Sequence, residues 1–298
     1  MVVPCPKNVK IVNRLLRYIL LLCLSVPLAY GVWLLVRLFV SDQFVIPTSS
    51  MSPTLEPGDR VVVGKLLMGA RIYRRFDFDP AGQQLDSWRT RGLRPLRHND
   101  IVVFNFPHHD GQINFVINNV YCKRVVAVPG DSLSIIDGHY RNNNYAGVLG
   151  LEDAQLQLEH TPDSLLWQPS LAAIPFHEKF GWTIRNLGPM YIPRKGDVMA
   201  VTPWEATLYN MPLAWETGSP ITCNWATGEV WAGGEPLIRH RWMHDYYFMA
   251  GDNVSDSNDS RYWGLVPEEY VVGVVTHITY SIDPYSGRRR KERTLKHV

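Results

Sequence analysis

The sequence FVIPTSSMSPTL, residues 44–55 of the 298-residue chain, lies where a long apolar run ends and a series of short β-branched segments begins. Pro47 and Pro53 fix their φ angles at about −65° and leave the hydroxyl residues between them little backbone freedom. A hydroxyl held in this way, such as that of Ser50, is a candidate nucleophile, although a polar linker would have a similar composition. The rest of the chain decides between these two interpretations.

The residues before this segment predict a membrane anchor. Residues 18–36 carry no charge, and about 20 apolar residues cross the hydrocarbon core as a helix. The positive-inside rule predicts residues 1–17 in the cytoplasm, a transmembrane segment at residues 18–40 and the remainder outside. A cleavable signal sequence is the alternative, but its apolar core has only about 7–15 residues. The basic residues that set this orientation are Lys7, Lys10, Arg14 and Arg17.

Beyond the apolar run, the pattern predicts a mainly β fold. Short β-branched segments bounded by Gly, Pro, Asn or Asp are typical of strands. We expect an antiparallel sandwich-like or barrel-like main domain built from residues 41–139 and 246–298. Residues 140–245 are richer in Trp and Pro and predict a smaller inserted domain, with a short helix at residues 153–159. The predicted strands of the main domain are residues 61–63, 101–104, 115–117, 125–128 and 271–275.

Composition excludes several classes of function. A formal net charge of +2 argues against nucleic-acid binding by the whole molecule. The four cysteines show no CxxC and no ligand spacing, so neither a zinc site nor a disulfide framework is predicted, although Cys122 and Cys223 could pair. We expect no cofactor and no metal. Residues 66–96 form an arginine-rich loop that could contact anionic membrane lipids or simply be solvated.

Lys123 is the second candidate catalytic residue. Alternation along the strand places it with Tyr121 and Val125 on one face, where it is the only charge, and places Cys122 on the other. Burial disfavours an ammonium and lowers its pKa from about 10.4. A neutral amine can act as general base for a serine hydroxyl. The alternative is a lysine that reaches solvent from a strand edge.

A polar loop at residues 249–264 is the third candidate. It lacks the terminal Glu of a calcium loop, and the apolar residues that close it suggest buried hydrogen bonding with Asp259 and Arg261 as a charge-assisted pair. No GxSxG motif occurs, and no histidine lies in a hydroxyl-rich or glycine-rich motif, so a Ser-His-Asp triad is not favoured. The pair His108-His109 lacks further metal ligands at suitable spacing.

Together these segments resemble the bacterial type I signal peptidases, membrane-bound serine proteases that use a Ser/Lys dyad. The matching segments occur in the family's order, behind an N-terminal anchor, at residues 44–59, 99–104, 121–131 and 251–264. The resemblance implies that the anchor is a single pass in the bacterial cytoplasmic membrane, with an extracytoplasmic catalytic domain. It further implies that the substrates are exported preproteins, cleaved after small residues to release their N-terminal signal peptides.

The resemblance also implies roles for individual residues. Ser50 matches the nucleophile and Lys123 its general base. The backbone N–H of Ser50 and the hydroxyl of Thr48 match the donors that stabilise the oxyanion.

Further positions match the supporting residues of the family. Ser257 matches the hydroxyl that orients the lysine amine, and Asp259 and Arg261 match the pair that supports the site. The residues that match the pockets for small substrate side chains are Phe44, Ile46, Leu55, Tyr121 and Cys122.

Several positions depart from the family pattern. Ser49 stands where Gly is common, and Asn99 replaces the usual Gly before Asp100. Asp256 adds a carboxylate near Ser257, and a nearby acid would raise the pKa of the lysine. The alternative function is an inactive membrane-anchored β module that acts in binding or assembly. A self-cleaving repressor with the same dyad would carry a DNA-binding segment in place of the apolar run.

Overall fold

The computed structural model describes residues 6–166 and 171–298. Its helices are α1 (Pro6–Leu35), α2 (Glu152–His160), α3 (Pro203–Leu208), α4 (Asn210–Thr217) and α5 (Ser260–Trp263). The first ten strands are β1 (Ser41–Val45), β2 (Asp59–Gly64), β3 (Arg71–Tyr73), β4 (Ser87–Arg89), β5 (Ile101–Asn105), β6 (His108–His109), β7 (Gln112–Ile113), β8 (Val120–Ala127), β9 (Ser132–Ile136) and β10 (His139–Asn142). The remaining strands are β11 (Leu187–Tyr191), β12 (Val198–Ala200), β13 (Ile221–Asn224), β14 (Glu229–Ala232), β15 (Glu235–Pro236), β16 (Arg239–Arg241), β17 (Tyr246–Ala250), β18 (Val266–Pro267), β19 (Val271–Ser281) and β20 (Lys296–His297).

The apolar run forms the long helix α1. The segment Asn13–Val40 has a mean hydropathy of 2.4 in its most apolar stretch, and none of that stretch is buried against the rest of the protein. At about 1.5 Å per residue, such a helix exceeds the roughly 30 Å of a bilayer's hydrocarbon core. A π-helical turn at Val36–Val40 then leads directly into β1. The predicted anchor is therefore long and apolar enough to cross a membrane.

The main sheet runs in the order β1-β2-β19-β5-β8-β17-β18, with β20 added beside β19. Every pairing in it is antiparallel. This arrangement confirms the predicted mainly β, antiparallel fold. Within the residues described, the strands form an open sheet and do not close into a barrel.

The middle of this sheet is covered on both faces. All residues of β5 and β17 are buried, as expected of strands whose two faces both meet a core. Strand β8 lies between them, with Lys123 opposite Val102 of β5. Because β8 is central, a lysine on it is carried into the interior and not to a strand edge.

One predicted strand is wrong. Residues 115–117 form a turn and a single bridge between Phe115 and Gln83, with no continuous strand. The buried side chain of Asn105 donates hydrogen bonds to the carbonyls of Val116 and Ile117, at 3.1 and 2.8 Å. A side-chain amide thus takes the place of a neighbouring strand, which β-propensity alone does not reveal.

The arginine-rich loop is partly built into the fold. It contains the hairpin β3–β4, and Arg71 donates hydrogen bonds to the carbonyls of Glu269 and Tyr270 at 3.0 and 3.2 Å. Arg89 donates to Val271 at 2.5 Å. These two side chains therefore serve to attach the loop to the sheet, and neither of the two surface interpretations applies to them.

Small sheets and helices occupy the region between β8 and β17. The predicted helix at residues 153–159 is confirmed as α2, and a capping box of Thr202 and Glu205 begins α3. Apolar residues from this region share one core cluster with Val126 and Phe248 of the main sheet. Cys122 and Cys223 are both free thiols and do not pair.

Candidate active site

The nucleophile segment is a short 3-10 turn, Ser49–Met51. Met51 and Leu55 are buried in the core beneath β1 and β2, and the Leu55 amide donates to the Met51 carbonyl at 2.9 Å. These two apolar side chains anchor the turn in the core, and the half-buried Ser50 lies on the side of the turn that faces away from the core. The Oγ1 atom of the exposed Thr48 lies 3.4 Å from the Oγ atom of Ser50. The Thr48 hydroxyl is therefore close to the candidate nucleophile.

Lys123 approaches the same serine from the main sheet. Its side chain is only 3% exposed, and its Nζ atom lies 2.5 Å from Ser50 Oγ. Burial lowers the pKa of the Lys123 ammonium below its ordinary value, and the Asp259 carboxylate only partly opposes this effect. A larger fraction of Lys123 is therefore neutral near pH 7 than of an exposed lysine. A neutral amine in hydrogen-bonding contact with a hydroxyl can accept its proton.

The polar loop forms a buried ion pair under the site. Asp259 accepts two hydrogen bonds from the Arg261 guanidinium, both at 2.8 Å, and a third from the Gly251 amide at 3.0 Å. Burial opposes the ionisation of Asp259, but Arg261, together with the Gly251 amide and Lys123, holds the pKa of that carboxyl below its ordinary value. Arg261 also donates to the Val254 carbonyl at 2.8 Å. The pair therefore fixes the course of the loop.

Ser257 is buried, and its Oγ atom has no hydrogen-bond partner among the residues described. It packs against Gly251, where an added Cβ would overlap Ser257 and come within 2.5 Å of the Ser50 carbonyl oxygen. Only glycine permits the loop to approach the nucleophile segment this closely. The Ser257 hydroxyl makes no hydrogen bond to the Lys123 amine in this arrangement, so its role in orienting that amine stays a prediction.

Two further contacts were missed by sequence reasoning. The buried Asp252 forms a bidentate ion pair with Arg124, in which both hydrogen bonds are 2.6 Å long. The backbone N–H of Asn253 donates to the Ser50 carbonyl at 3.1 Å, and its side-chain amide donates to the Ser49 carbonyl at 3.3 Å. Adjacency in sequence could have placed these residues near the site, because Arg124 follows Lys123 and Asp252 follows Gly251. Nothing in the sequence showed that they meet.

The departure at Asn99 has a conformational explanation. Its φ is 67°, a left-handed value that Asn tolerates better than most residues other than glycine. Its carbonyl accepts a hydrogen bond from Arg124 at 3.0 Å. Asn99 therefore supplies the same kind of turn that glycine would.

Ser50 and Lys123 line a cleft of about 540 Å³. Of the predicted pocket residues, Ile46, Tyr121 and Cys122 line this cleft. Leu55 does not, because it is fully buried, and the half-buried Phe44 packs against the same core cluster. Burial raises the pKa of the Cys122 thiol to about 12, so it is protonated and behaves as a small apolar side chain.

Asp256 lies at the rim of the cleft, where one of its oxygens accepts a hydrogen bond from the Ser49 hydroxyl at 3.2 Å. The carboxylates that raise the pKa of Lys123 are instead Asp259 and Asp252. Within residues 6–166 and 171–298, no group of His, Cys, Asp and Glu side chains has the arrangement of a metal site. The half-buried His108 forms a hydrogen bond with the Leu265 carbonyl at 3.0 Å, away from Ser50.

The fold and the cleft define a class: a membrane-anchored β protein with a serine hydroxyl held against a buried lysine amine, the arrangement of a serine hydrolase with an amine base. The chain belongs to the family described as signal peptidase, peptidase S26, whose sequence model matches residues 15–157 and 234–280. It is a serine endopeptidase of that family.

Known relatives agree over most of the chain. It is 25% identical to signal peptidase I of Buchnera aphidicola subsp. Baizongia pistaciae over 82% of this chain and 71% of that protein. It is 28% identical to signal peptidase I of Buchnera aphidicola subsp. Acyrthosiphon pisum, over 84% of this chain and 71% of that protein. It is 27% identical to signal peptidase I of Helicobacter pylori strain J99, over 90% of this chain and 85% of that protein. The family predicted from the sequence is confirmed.

Proposed function

We propose that this protein cleaves N-terminal signal peptides from exported preproteins after small residues, with Ser50 as nucleophile and Lys123 as general base. The observation that carries this proposal is the distance of 2.5 Å between Lys123 Nζ and Ser50 Oγ, at a lysine whose side chain is buried. The relatives that match most of the chain are named signal peptidase I, which supports the same substrate class.

The first half-reaction forms an ester on the enzyme. The neutral Lys123 amine takes the proton from Ser50 Oγ as that oxygen bonds to the scissile carbonyl carbon. The Ser50 N–H and the Thr48 hydroxyl donate to the developing oxyanion, each worth on the order of 3 kcal/mol. The Lys123 ammonium then gives its proton to the departing amine nitrogen, the C–N bond breaks, and the signal peptide remains esterified to Ser50.

The second half-reaction releases the signal peptide. Lys123, now neutral again, takes a proton from a water molecule whose oxygen attacks the ester carbonyl. When the tetrahedral intermediate collapses, the lysine returns the proton to Ser50 Oγ. One lysine therefore acts as base and then as acid in each half-reaction.

Three residues would support this chemistry without touching the scissile bond. The buried, unpartnered Ser257 hydroxyl is a candidate to orient the Lys123 amine as its protonation changes. The Asp259–Arg261 pair holds the loop that carries Ser257. The two side chains bond to each other and to the backbone. In the described part of the chain, Lys123 therefore has no carboxylate in hydrogen-bonding contact.

The walls of the cleft favour small side chains before the cleaved bond. Ile46, Tyr121 and Cys122, which match the family's pockets for small substrate side chains, line it, and this supports cleavage after small residues. Leu55 and Phe44 would act indirectly, by holding these walls in place from the core beneath.

We further propose a single-pass topology in the bacterial cytoplasmic membrane, with the N-terminus in the cytoplasm and the catalytic domain outside. The basic residues before the apolar run support this orientation, and the protein would meet membrane lipids along α1. We also propose residues 41–139 and 246–298 as the catalytic domain and residues 140–245 as an insert. The break in the family match between residues 157 and 234 supports an insertion.

The alternative of an inactive anchored module has no support in the relatives, and both members of the dyad are in contact. The direct test incubates the full-length protein in detergent with a purified preprotein, followed by N-terminal sequencing of the product. We expect one new N-terminus immediately after a small residue, and no product from the Ser50→Ala variant. Equal processing by Ser50→Ala would overturn the assignment of the nucleophile.

A further inference from the structure

A second cavity of about 590 Å³ adjoins the cleft and shares Asp256 and Asn258 with it. Residues of the inserted region, outside the main sheet, form its far side. They come from the end of α2, the turn after it, and the segment around Phe176. The residues of that side include Gln157, Thr161, Leu165, Leu166 and Phe176.

The shared residues indicate which part of a substrate would enter this cavity. The wall assigned to the residues before the cleaved bond consists of Ile46, Tyr121 and Cys122, and none of these lines the second cavity. The two cavities instead meet at Asp256 and Asn258, on the loop whose Asn253 amide bonds to the Ser50 carbonyl. Consider a peptide whose residues before the cleaved bond contact this wall and whose scissile bond lies at Ser50. Its residues after the cleaved bond can extend past Asp256 into the second cavity.

The charge that lines this second cavity is negative. Asp256 is the only charged side chain among the described residues that line it, and the only other charge in the cleft belongs to the proposed base, Lys123. Asp256 is exposed, and the bond from Ser49 engages its Oδ2 atom. Its carboxylate is therefore in a position to act on substrate charge.

We propose that the second cavity binds the residues that follow the cleaved bond, and that Asp256 makes the enzyme prefer a basic over an acidic residue there. The proposal rests on the proposed function and names a specificity determinant for it. The apolar surface of Leu165 and Phe176, which are 76% and 58% exposed, receives the apolar parts of the same segment.

Charge selectivity is tested with peptide substrates that are identical up to the cleaved bond and carry Lys or Glu at one of the first three positions after it. For the parent we expect kcat/KM to favour Lys by about two- to fivefold, the range of an exposed ion pair, and less at high salt. Asp256→Asn should bring the ratio close to one. The matched control is Asp110→Asn, an exposed turn residue that lines neither cavity and should keep the parent ratio.

The apolar contact is tested with peptides that end one or five residues after the bond. Extension should raise kcat/KM for the parent and for Phe76→Gln, an exposed aromatic outside both cavities. It should give less than half of that gain for Phe176→Gln. The denaturant midpoint of Phe176→Gln, which should match the parent value, reports whether this variant is folded.

These outcomes separate the two proposals. If the parent cleaves no peptide, or if Ser50→Ala cleaves them equally, the proposed function fails. If the parent cleaves them but shows no charge preference at any of the three positions, or if Asp256→Asn retains the preference, the role of Asp256 is wrong. If extension brings no gain for the parent, or an equal gain for Phe176→Gln, the second cavity does not bind the substrate.

Discussion

Lys123 and Arg261 are both buried basic residues at the same site, and their pKa values shift in opposite directions. Burial disfavours the charge of each. Arg261 meets the Asp259 carboxylate in a two-point pair, so its pKa is raised despite burial. Among the residues described, Lys123 forms a hydrogen bond only with the Ser50 hydroxyl, so burial lowers its pKa. The first arrangement keeps a charge permanently in place, and the second makes a proton exchangeable.

His108 shows that a lowered pKa is not sufficient. Burial lowers the pKa of its imidazole to about 4, a shift in the same direction as that of Lys123. However, its Nε2 atom faces the Leu265 carbonyl and no hydroxyl nucleophile. What distinguishes Lys123 is therefore the combination of desolvation with contact to a serine.

The largest expected effect comes from giving Lys123 the permanent charge that Arg261 has. Lys123→Arg keeps a cation of similar length but cannot accept a proton, so preprotein processing should fall by about a thousandfold or more, as should that of Ser50→Ala. His108→Ala is the control and should retain processing. Near-parent turnover by Lys123→Arg, measured in single-turnover assays, would show that the lysine is not the base.

The second prediction removes the partner from the other cation. Asp259→Asn leaves the Arg261 charge buried and unpaired, and we expect a loss of about 3–5 kcal/mol in the free energy of unfolding. Denaturant unfolding in detergent measures it. Asp77→Asn, at an exposed pair with Arg75, is the matched control and should leave the unfolding midpoint close to that of the parent.

If Asp259 and Arg261 act mainly on each other, replacing both with apolar residues of similar size should recover much of that stability. The variant Asp259→Leu with Arg261→Met tests this. No recovery would mean that the hydrogen bonds of the pair to the loop backbone contribute more than its charge balance does.

The third prediction concerns pH. Only the neutral amine accepts a proton, so the rate of the chemical step should rise about tenfold per pH unit and level off above the pKa of Lys123, which burial places below that of a free lysine. Asp256→Asn should leave this profile nearly unmoved, because the carboxylates that act on Lys123 are Asp259 and Asp252. A single-turnover profile that is flat from about pH 6 to 10 would contradict the proposed base.

The smallest effect is expected at Cys122. Cys122→Ala should remain active, because the thiol packs as a small apolar group beside the cleft. With a pKa of about 12, the thiol should react slowly with alkylating reagents and faster as the pH rises. Modification should inhibit the parent and Cys223→Ala but not Cys122→Ala, and substrate should slow it. Equal inhibition of all three proteins would place the sensitive group elsewhere.

Much of the site was accessible from sequence because local pattern carries it. The two prolines and the hydroxyl residues around Ser50 marked the nucleophile segment, and one lysine in an apolar strand marked the base. The pairing of Asp259 with Arg261 was also accessible, since the two residues lie within one short loop. The burial of Leu55 beneath the cleft was not accessible, because an apolar residue at the edge of a cleft and one in the core beneath it have the same sequence signature.

By itself, the sequence determined the apolar helix, the antiparallel β fold, the family and the identity of the two residues in contact. These follow from hydropathy, alternation and motif order, which are properties of neighbouring residues. Only the tertiary structure decided that Asp252 pairs with Arg124, that Gly251 admits the loop against Ser50, and that Asp256 joins the cleft to a second cavity. Each of these depends on segments that are far apart in the sequence, and their approach is set by sheet pairing and core packing, which local sequence does not encode.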